Sequence, residues 1–269
     1  MGKKLRNPPL VYTVAQVQFN SVPEFGNYRD LIAPKMRQCG FPVQDVQPYA
    51  QLIMPSVAAD GGQSATAAPT PSPRTRYIFG EISNRAGFVL EQDSLAFQTT
   101  DYDSFDKKFL PTFMQGLEII HDALQLVYVQ RIGLRYINVV KTKSEHETLT
   151  NYLNEQAFGL SDKAPGTLQY SANETLSQLG DRQYLSRIWV RDGQVALPFD
   201  ILGAAPKLPT QITSYTGKHA LLDNDAFEMK RAPFVLNSIR DTLIALHESV
   251  EDAFESAIKD DVLNAWRET

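Results

Sequence analysis

Four arginines and a tryptophan are the residues here whose types and spacing best suit ligand chemistry. Arg131 and Arg135 flank Gly133, and Arg187 and Arg191 flank Trp189. Residues two and four apart on a β-strand share a face, so each group points one way. A guanidinium is a fixed fork of donors suited to phosphate or carboxylate, and an indole can stack on a base or ring. If the two strands are neighbours, all five side chains line one surface. The competing reading pairs the arginines with Asp and Glu of an acidic C-terminal helix, which leaves no ligand site.

Other reactive residue types fall short of a motif. Asp223, Asp225, Glu228 and Lys230 resemble the Asp and Glu-x-Lys set that holds magnesium in nucleases. Strand alternation, however, puts Asp223 and Asp225 with Phe227 and turns Glu228 and Lys230 to the other face, so a solvated strand edge is expected. His247-Glu248 opens like a zinc-protease helix, but the second histidine one turn later is missing. His247 is expected to cap a core instead. Gly61-Gly62-Gln63-Ser64 lacks the Gly-Lys-Ser/Thr ending of a phosphate loop. Cys39 is the single cysteine, which excludes an internal disulfide or a cysteine metal cluster and reads as a structural thiol. No Gly-x-Ser-x-Gly elbow occurs, and His121, His146 and His219 are scattered. No catalytic residue, metal or cofactor is expected.

The elements that must position the arginines follow from periodicity. Residues 10–19 alternate as a strand, 28–39 read as a helix despite Pro34, and 43–54 return to an extended pattern. Residues 56–73, rich in Ala, Pro, Ser and Thr, read as a mobile surface excursion. Strands at 76–83, 87–91 and 94–100 form a meander. A long helix follows, capped by Asp103 or Ser104, with the stripe Phe105, Phe109, Phe113, Leu117, Ile120 and Leu124 and a kink at Pro111. Residues 128–140 form the strongest strand. A helix at 145–156 and strands at 167–172, 184–191 and 211–229 come next. The chain closes on a helix with the stripe Leu236, Ile239, Leu243, Leu246, Val250, Ala253 and Ala257, then a short helix restarting at Asp260 and Asp261. Both halves read strand, helix, strands, helix. The expectation is an α+β protein of two similar modules, 1–127 and 128–269, each an antiparallel sheet plus helices, with the C-terminal helix packed on the second sheet.

Composition bounds what such a protein does. A 269-residue chain with 43% hydrophobic and 21% charged residues can bury a sizeable core. Net charge is −5, and it is uneven: from Asp223 onward there are 11 acidic and 5 basic residues, against 20 and 21 before it. That distribution lacks the broad basic field that duplex nucleic acid requires. The basic first nine residues lead into no apolar signal core, and no run approaches the ~18 apolar residues of a membrane span. A cytoplasmic address with no membrane partner is expected.

Several segments together resemble a known group: Leu10-Val11-Tyr12 with Ala15-Gln16-Val17-Gln18-Phe19, Gly40-Phe41-Pro42, Thr99-Thr100-Asp101-Tyr102, Arg131-Ile132-Gly133-Leu134-Arg135-Tyr136, and Leu246-His247-Glu248 with Phe254 and Trp266. They resemble an uncharacterised family of prokaryotic proteins of about this length, distributed sporadically among bacteria and archaea. Gln18 departs from the arginine common at that position in the family. The resemblance implies no activity; scattered distribution is what mobile genes show, including phage-defence and toxin–antitoxin cassettes. The function expected is therefore a non-catalytic binding or regulatory protein, an accessory of a mobile defence or toxin-neutralising system. Its partner would be a protein, a small anionic ligand or a short nucleic acid, and a homodimer through sheet edges or the terminal helix is compatible. The alternative is an enzyme acting on a phosphate-bearing or nucleotide substrate held by Arg131, Arg135, Arg187 and Arg191.

Overall fold

A computed structural model of the chain describes residues 9–53, 70–142, 144, 146–159, 165–166, 168–201 and 206–268. Alternation sets its centre. In β1 (Leu10–Phe19), Ala15, Val17 and Phe19 are buried on one face, while Gln16 and Gln18 point to the other. A strand apolar on one side needs partners on both edges and a layer over one face. The partners are β5 (Ser94–Thr99) and β6 (Tyr128–Lys141), both antiparallel. Outward from β5 lie β4 (Ala86–Glu91), β3 (Thr70–Gly80) and β2 (Val43–Ile53). Outward from β6 lie β9 (His219–Pro233), β8 (Arg182–Arg191) and β7 (Tyr170–Leu179), completing one nine-stranded antiparallel sheet.

Among the described residues, five α-helices accompany it: α1 (Arg29–Gln38), α2 (Leu110–Leu124), α3 (Thr210–Thr213), α4 (Leu236–Ala257) and α5 (Asp260–Glu268). The apolar stripes of α1, α2 and α4 cover one face of the sheet and bury Ala15, Val17, Phe19, Leu134 and Ala226 with Phe113, Leu117, Ile120, Leu243 and Leu246. Under the C-terminal helices, Phe254, Leu263 and Trp266 pack with Val140, Leu222 and Val190 on the same face. None of the described helices is long and apolar enough to cross a membrane.

Among the described residues, the opposite face is open except at one end. There the connection from β8 to β9 lays Val195, Leu197 and Ile212 over Val11, Tyr12, Ile137, Val139 and Leu221. Its backbone is tied down where Lys207 N donates to Asn84 O (2.8 Å) and Thr100 Oγ1 donates to Lys207 O (2.8 Å). Residues near 200 are thereby held beside the centre of the sheet.

Several expectations need correction. The strands form a single sheet that runs unbroken across residue 127, so α4 packs on a sheet shared by both halves. The helix expected at 145–156 is two 3-10 turns, Leu149–Asn151 and Glu155–Ala157. The first turn opens with a capping box, in which Thr148 N donates to Asn151 Oδ1 (2.8 Å), and Asn154 Nδ2 then ties the chain to the end of α4 by donating to Ser256 O (2.9 Å) and Ile258 O (3.1 Å). The strand expected at 211–229 begins only at His219, because the short α3 and Gly217, at φ +146°, precede it. The strand expected at 167–172 is β7; as an edge strand largely exposed on both faces it carries no apolar alternation to read. Pro111 lies in the first turn of α2, where its missing N–H costs little. The irregularity comes earlier, in a π-helical turn, Phe105–Phe109, capped by Ser104 Oγ accepting from Lys107 N (3.3 Å). The excursion expected at 56–73 lies outside the described residues except for 70–73, which belong to β3.

Two packing details yield predictions. Gly116 of α2 lies against Phe88 of β4, and a Cβ there would come 2.2 Å from the ring. Phe88 is itself buried among Phe41 and Phe97 and cannot swing away. Gly116→Ala should therefore destabilise the protein by about 1–3 kcal/mol in urea unfolding, despite alanine's better helix propensity. His247 of α4 caps the core as expected. Its ring stacks on Phe105 at 3.9 Å, Nδ1 is 3.0 Å from Tyr136 Oη, and Nε2 is 3.4 Å from Glu251 Oε1. Burial lowers its pKa from 6.5 to about 4. Between those values the unfolded chain binds more protons than the fold, so His247 stabilises fully above about 6.5 and progressively less as pH falls toward about 4. Stability measured across that window should fall by up to ~3 kcal/mol more in the wild type than in His247→Gln.

Candidate functional site

The arginines rise from the open face of β6 and β8, with β9 between them. On β6 the residues facing this side are Arg131, Gly133, Arg135 and Ile137; on β8 they are Arg187, Trp189 and Arg191. The strands are thus one strand apart, not adjacent, and what separates the arginines is a row of carboxylates on β9.

Asp223 is the hub of that row. Its carboxylate is wholly buried and accepts from both Nε (2.6 Å) and Nη2 (2.7 Å) of Arg135. This bidentate bond is diagonal, because Asp223 sits directly opposite Ile137 in the ladder, with Arg187 opposite on its other side. Arg187 reaches the same carboxylate at 3.5 Å and Glu174 of β7 at 2.7 Å. The other side of the Arg135 fork meets Asp200 from the β8–β9 connection, with Nη1 to Oδ2 at 2.5 Å and Nη2 to Oδ1 at 3.4 Å. Burial acts to lower the pKa of Arg135, but the hydrogen bonds and charges of Asp223 and Asp200 outweigh it and hold it well above the usual value.

Arg131 is held more loosely. Its Nη1 donates to Gln16 Oε1 and its Nη2 to Asp225 Oδ2, both at 3.3 Å, and the guanidinium lies 4.7 Å over the Phe227 ring. Its fold-back depends on Gly133, where a Cβ would stand 2.5 Å from Nη1. Burial lowers the pKa of Arg131 and raises that of Asp225, so dehydration disfavours the charge of both partners. Beside them lies a cavity of about 330 Å³ walled by Gln16, Gln18, Gln98, Arg76, Arg135 and Asp200, with Tyr12 at one end. Tyr12 Oη donates to Gln98 Oε1 at 2.6 Å, and burial pushes its pKa well up.

Of the five residues singled out from the sequence, Arg131 and Arg135 line this cavity. Arg187 joins them only through Asp223. Trp189 packs beside the small open-face core, and Arg191 lies 5.6 Å over the rings of both Trp189 and Tyr170, away from the cavity. The partners of the arginines are also corrected. They come from β9, β7 and the β8–β9 connection, and α4 supplies none of them, because α4 packs on the opposite face. Asp223 and Asp225 share a face with Phe227 as alternation requires, but they are not a solvated edge, since β8 pairs the far side of β9. Gln16, Gln18, Gln98 and Asp200 carried no signal of their own. The even positions of β1 could have pointed to the glutamines, as alternation places them on the polar face. Among the described residues no group of three or more His, Cys, Asp or Glu is placed to hold a metal ion.

Comparison of the chain with known protein families, curated proteins and solved structures gives no match in any of the three. The likeness to the sporadically distributed prokaryotic family thus rests on the short segments alone.

The two arginines should respond differently to removal. Arg135→Ala strands the buried Asp223 carboxylate and should cost about 3–5 kcal/mol in urea unfolding. Arg131→Gln gives up one 3.3 Å ion pair and should cost only about 1 kcal/mol in the same measurement.

Proposed function

We propose that this is a non-catalytic binding protein whose open-face cavity takes a small ligand bearing a phosphate or carboxylate. Arg131 carries the reading. A guanidinium has five donors, and among the described residues two of those of Arg131 are engaged, each at 3.3 Å. It stands beside a cavity of about 330 Å³, a volume at the lower end of those that hold small molecules. Arg135, by contrast, is anchored by the buried Asp223 and is also met by Asp200 of the β8–β9 connection, so it forms the fixed wall of the site. Gln16, Gln18 and Gln98 add neutral donors and acceptors that fix orientation without adding charge.

The row Asp223, Asp225 and Asp200 weighs against a nucleic-acid strand, whose backbone needs uncompensated positive charge along its length. The enzyme reading draws no support from the arginines, because Arg135 and Arg187 are committed to carboxylates of the protein itself. We also read the two halves as similar modules. In each, the first strand pairs with the last, β1 with β5 and β6 with β9, and a long helix follows that last strand.

The test is thermal denaturation with inorganic phosphate, citrate and adenosine monophosphate added separately. At least one should raise Tm in a saturable manner, as a ligand binding only the folded state must. Arg131→Gln should remove that increase while leaving Tm without ligand nearly unchanged. Failure of all three to shift Tm, or equal shifts in the variant, would refute the proposal.

A further inference from the structure

Arg135 carries two carboxylates where one suffices for its charge. Asp223 is buried, bidentate and part of the sheet. Asp200 comes from the connection between β8 and β9, and its side chain is 47% exposed. The cavity itself is lined by the cations Arg76, Arg131 and Arg135 and by the carboxylates Asp200 and Asp225, with Asp223 buried behind Arg135. Two carboxylates on one guanidinium repel each other, which makes the second the weaker guest. Removing Asp223 from its place means burying an unpaired charge; Asp200 is half in water already and can rehydrate at little cost. Of its two chain neighbours, Phe199 is 90% exposed and Ile201 packs against the small open-face core.

The atoms Asp200 touches also matter. Its two oxygens meet Nη1 and Nη2 of Arg135, and both residues line the cavity. Arg131 lines the same cavity. A ligand oxyanion entering there would present the same pair of acceptor oxygens to the same donors. Resting on the reading of this cavity as a ligand site, we propose that Asp200 is a built-in competitor. Its carboxylate occupies the oxyanion position on Arg135 in the free protein and is exchanged for the phosphate or carboxylate of the ligand. The apparent affinity is then the intrinsic one reduced by the fraction of molecules in which Asp200 has let go.

Calorimetric titration with inorganic phosphate at low ionic strength tests this. Compared with wild type, Asp200→Ala should bind phosphate on the order of tenfold more tightly, and Asp200→Asn, which keeps the shape but not the charge, should also gain. Adding Arg131→Gln to Asp200→Ala should abolish the gain. Circular dichroism and Tm of both single variants should match wild type, as expected for a half-exposed side chain. Equal affinity in wild type and both variants would overturn the competition while leaving the cavity a ligand site. Weaker binding in the variants would overturn it by making Asp200 a partner of the ligand. Absence of phosphate binding in all three proteins would overturn the inference by removing the ligand site on which it rests.

Discussion

The open face is organised by one buried ion pair. Asp223 has no exposure, and a carboxylate in that position is tolerable only if its lone pairs are met by a cation in good geometry. Arg135 does this from the neighbouring strand with two bonds of 2.6 and 2.7 Å. The demand propagates outward. It draws the Arg135 side chain diagonally across the ladder and leaves Asp225, which stands directly opposite Arg135, to pair with Arg131. It gives Arg187 a second anchor, and it leaves one side of the Arg135 fork for Asp200. Such a pair gives little net stability compared with a well-packed apolar pair, since dehydration consumes most of the attraction. Its contribution is geometric: it fixes where a guanidinium points.

The two faces of the sheet divide the labour. The helix-covered face holds an apolar core continuous across both halves of the chain, and the described side chains there are closely packed, as the contact of Gly116 with Phe88 shows. The open face keeps polar side chains in a half-dry setting, where hydrogen bonds are stronger than in water. A rigid layer behind a polar surface is the arrangement a binding site needs, because the donors lose little freedom when a ligand arrives. The β8–β9 connection adds the one element of this face that is not strand. It is pinned through Val195, Leu197 and Ile212, yet it presents Phe199 and Asp200 to solvent.

Much of this was legible in the sequence where periodicity spoke alone. The stripes of α2 and α4, the alternation of β1 and the strand carrying Arg131 and Arg135 each declare themselves within a dozen residues. The facing of Asp223 and Asp225 was also readable, because alternation is local. Their burial was not, since it depends on β8 pairing the far side of β9, and the two strands are separated by a long irregular connection. The partners of the arginines were missed for the same reason: Arg135 and Asp223 lie 88 residues apart. β7 lacked a pattern because an edge strand has no buried face to impose one. The turns at 149–157 misled because Asn154 is tied to the end of α4, about a hundred residues away, a contact no local pattern announces.

The strand order carries a consequence for how the protein is made. The two central strands, β1 and β6, are each completed by sequence that comes much later: β1 needs residues 94–99 and 128–141, and β6 needs residues 219–233. Ribosomes add about 5–20 residues per second, so these edges wait for seconds, far longer than a hairpin takes to form. The N-terminal meander of β3, β4 and β5 can close as it emerges, but β1 keeps one bare edge until β6 arrives, and β6 then bares its own until β9 does. A nascent chain stalled in either interval displays the apolar, unpaired middle of the sheet. The part of the molecule best protected at the end is therefore the part whose strand edges stay unpaired longest during synthesis.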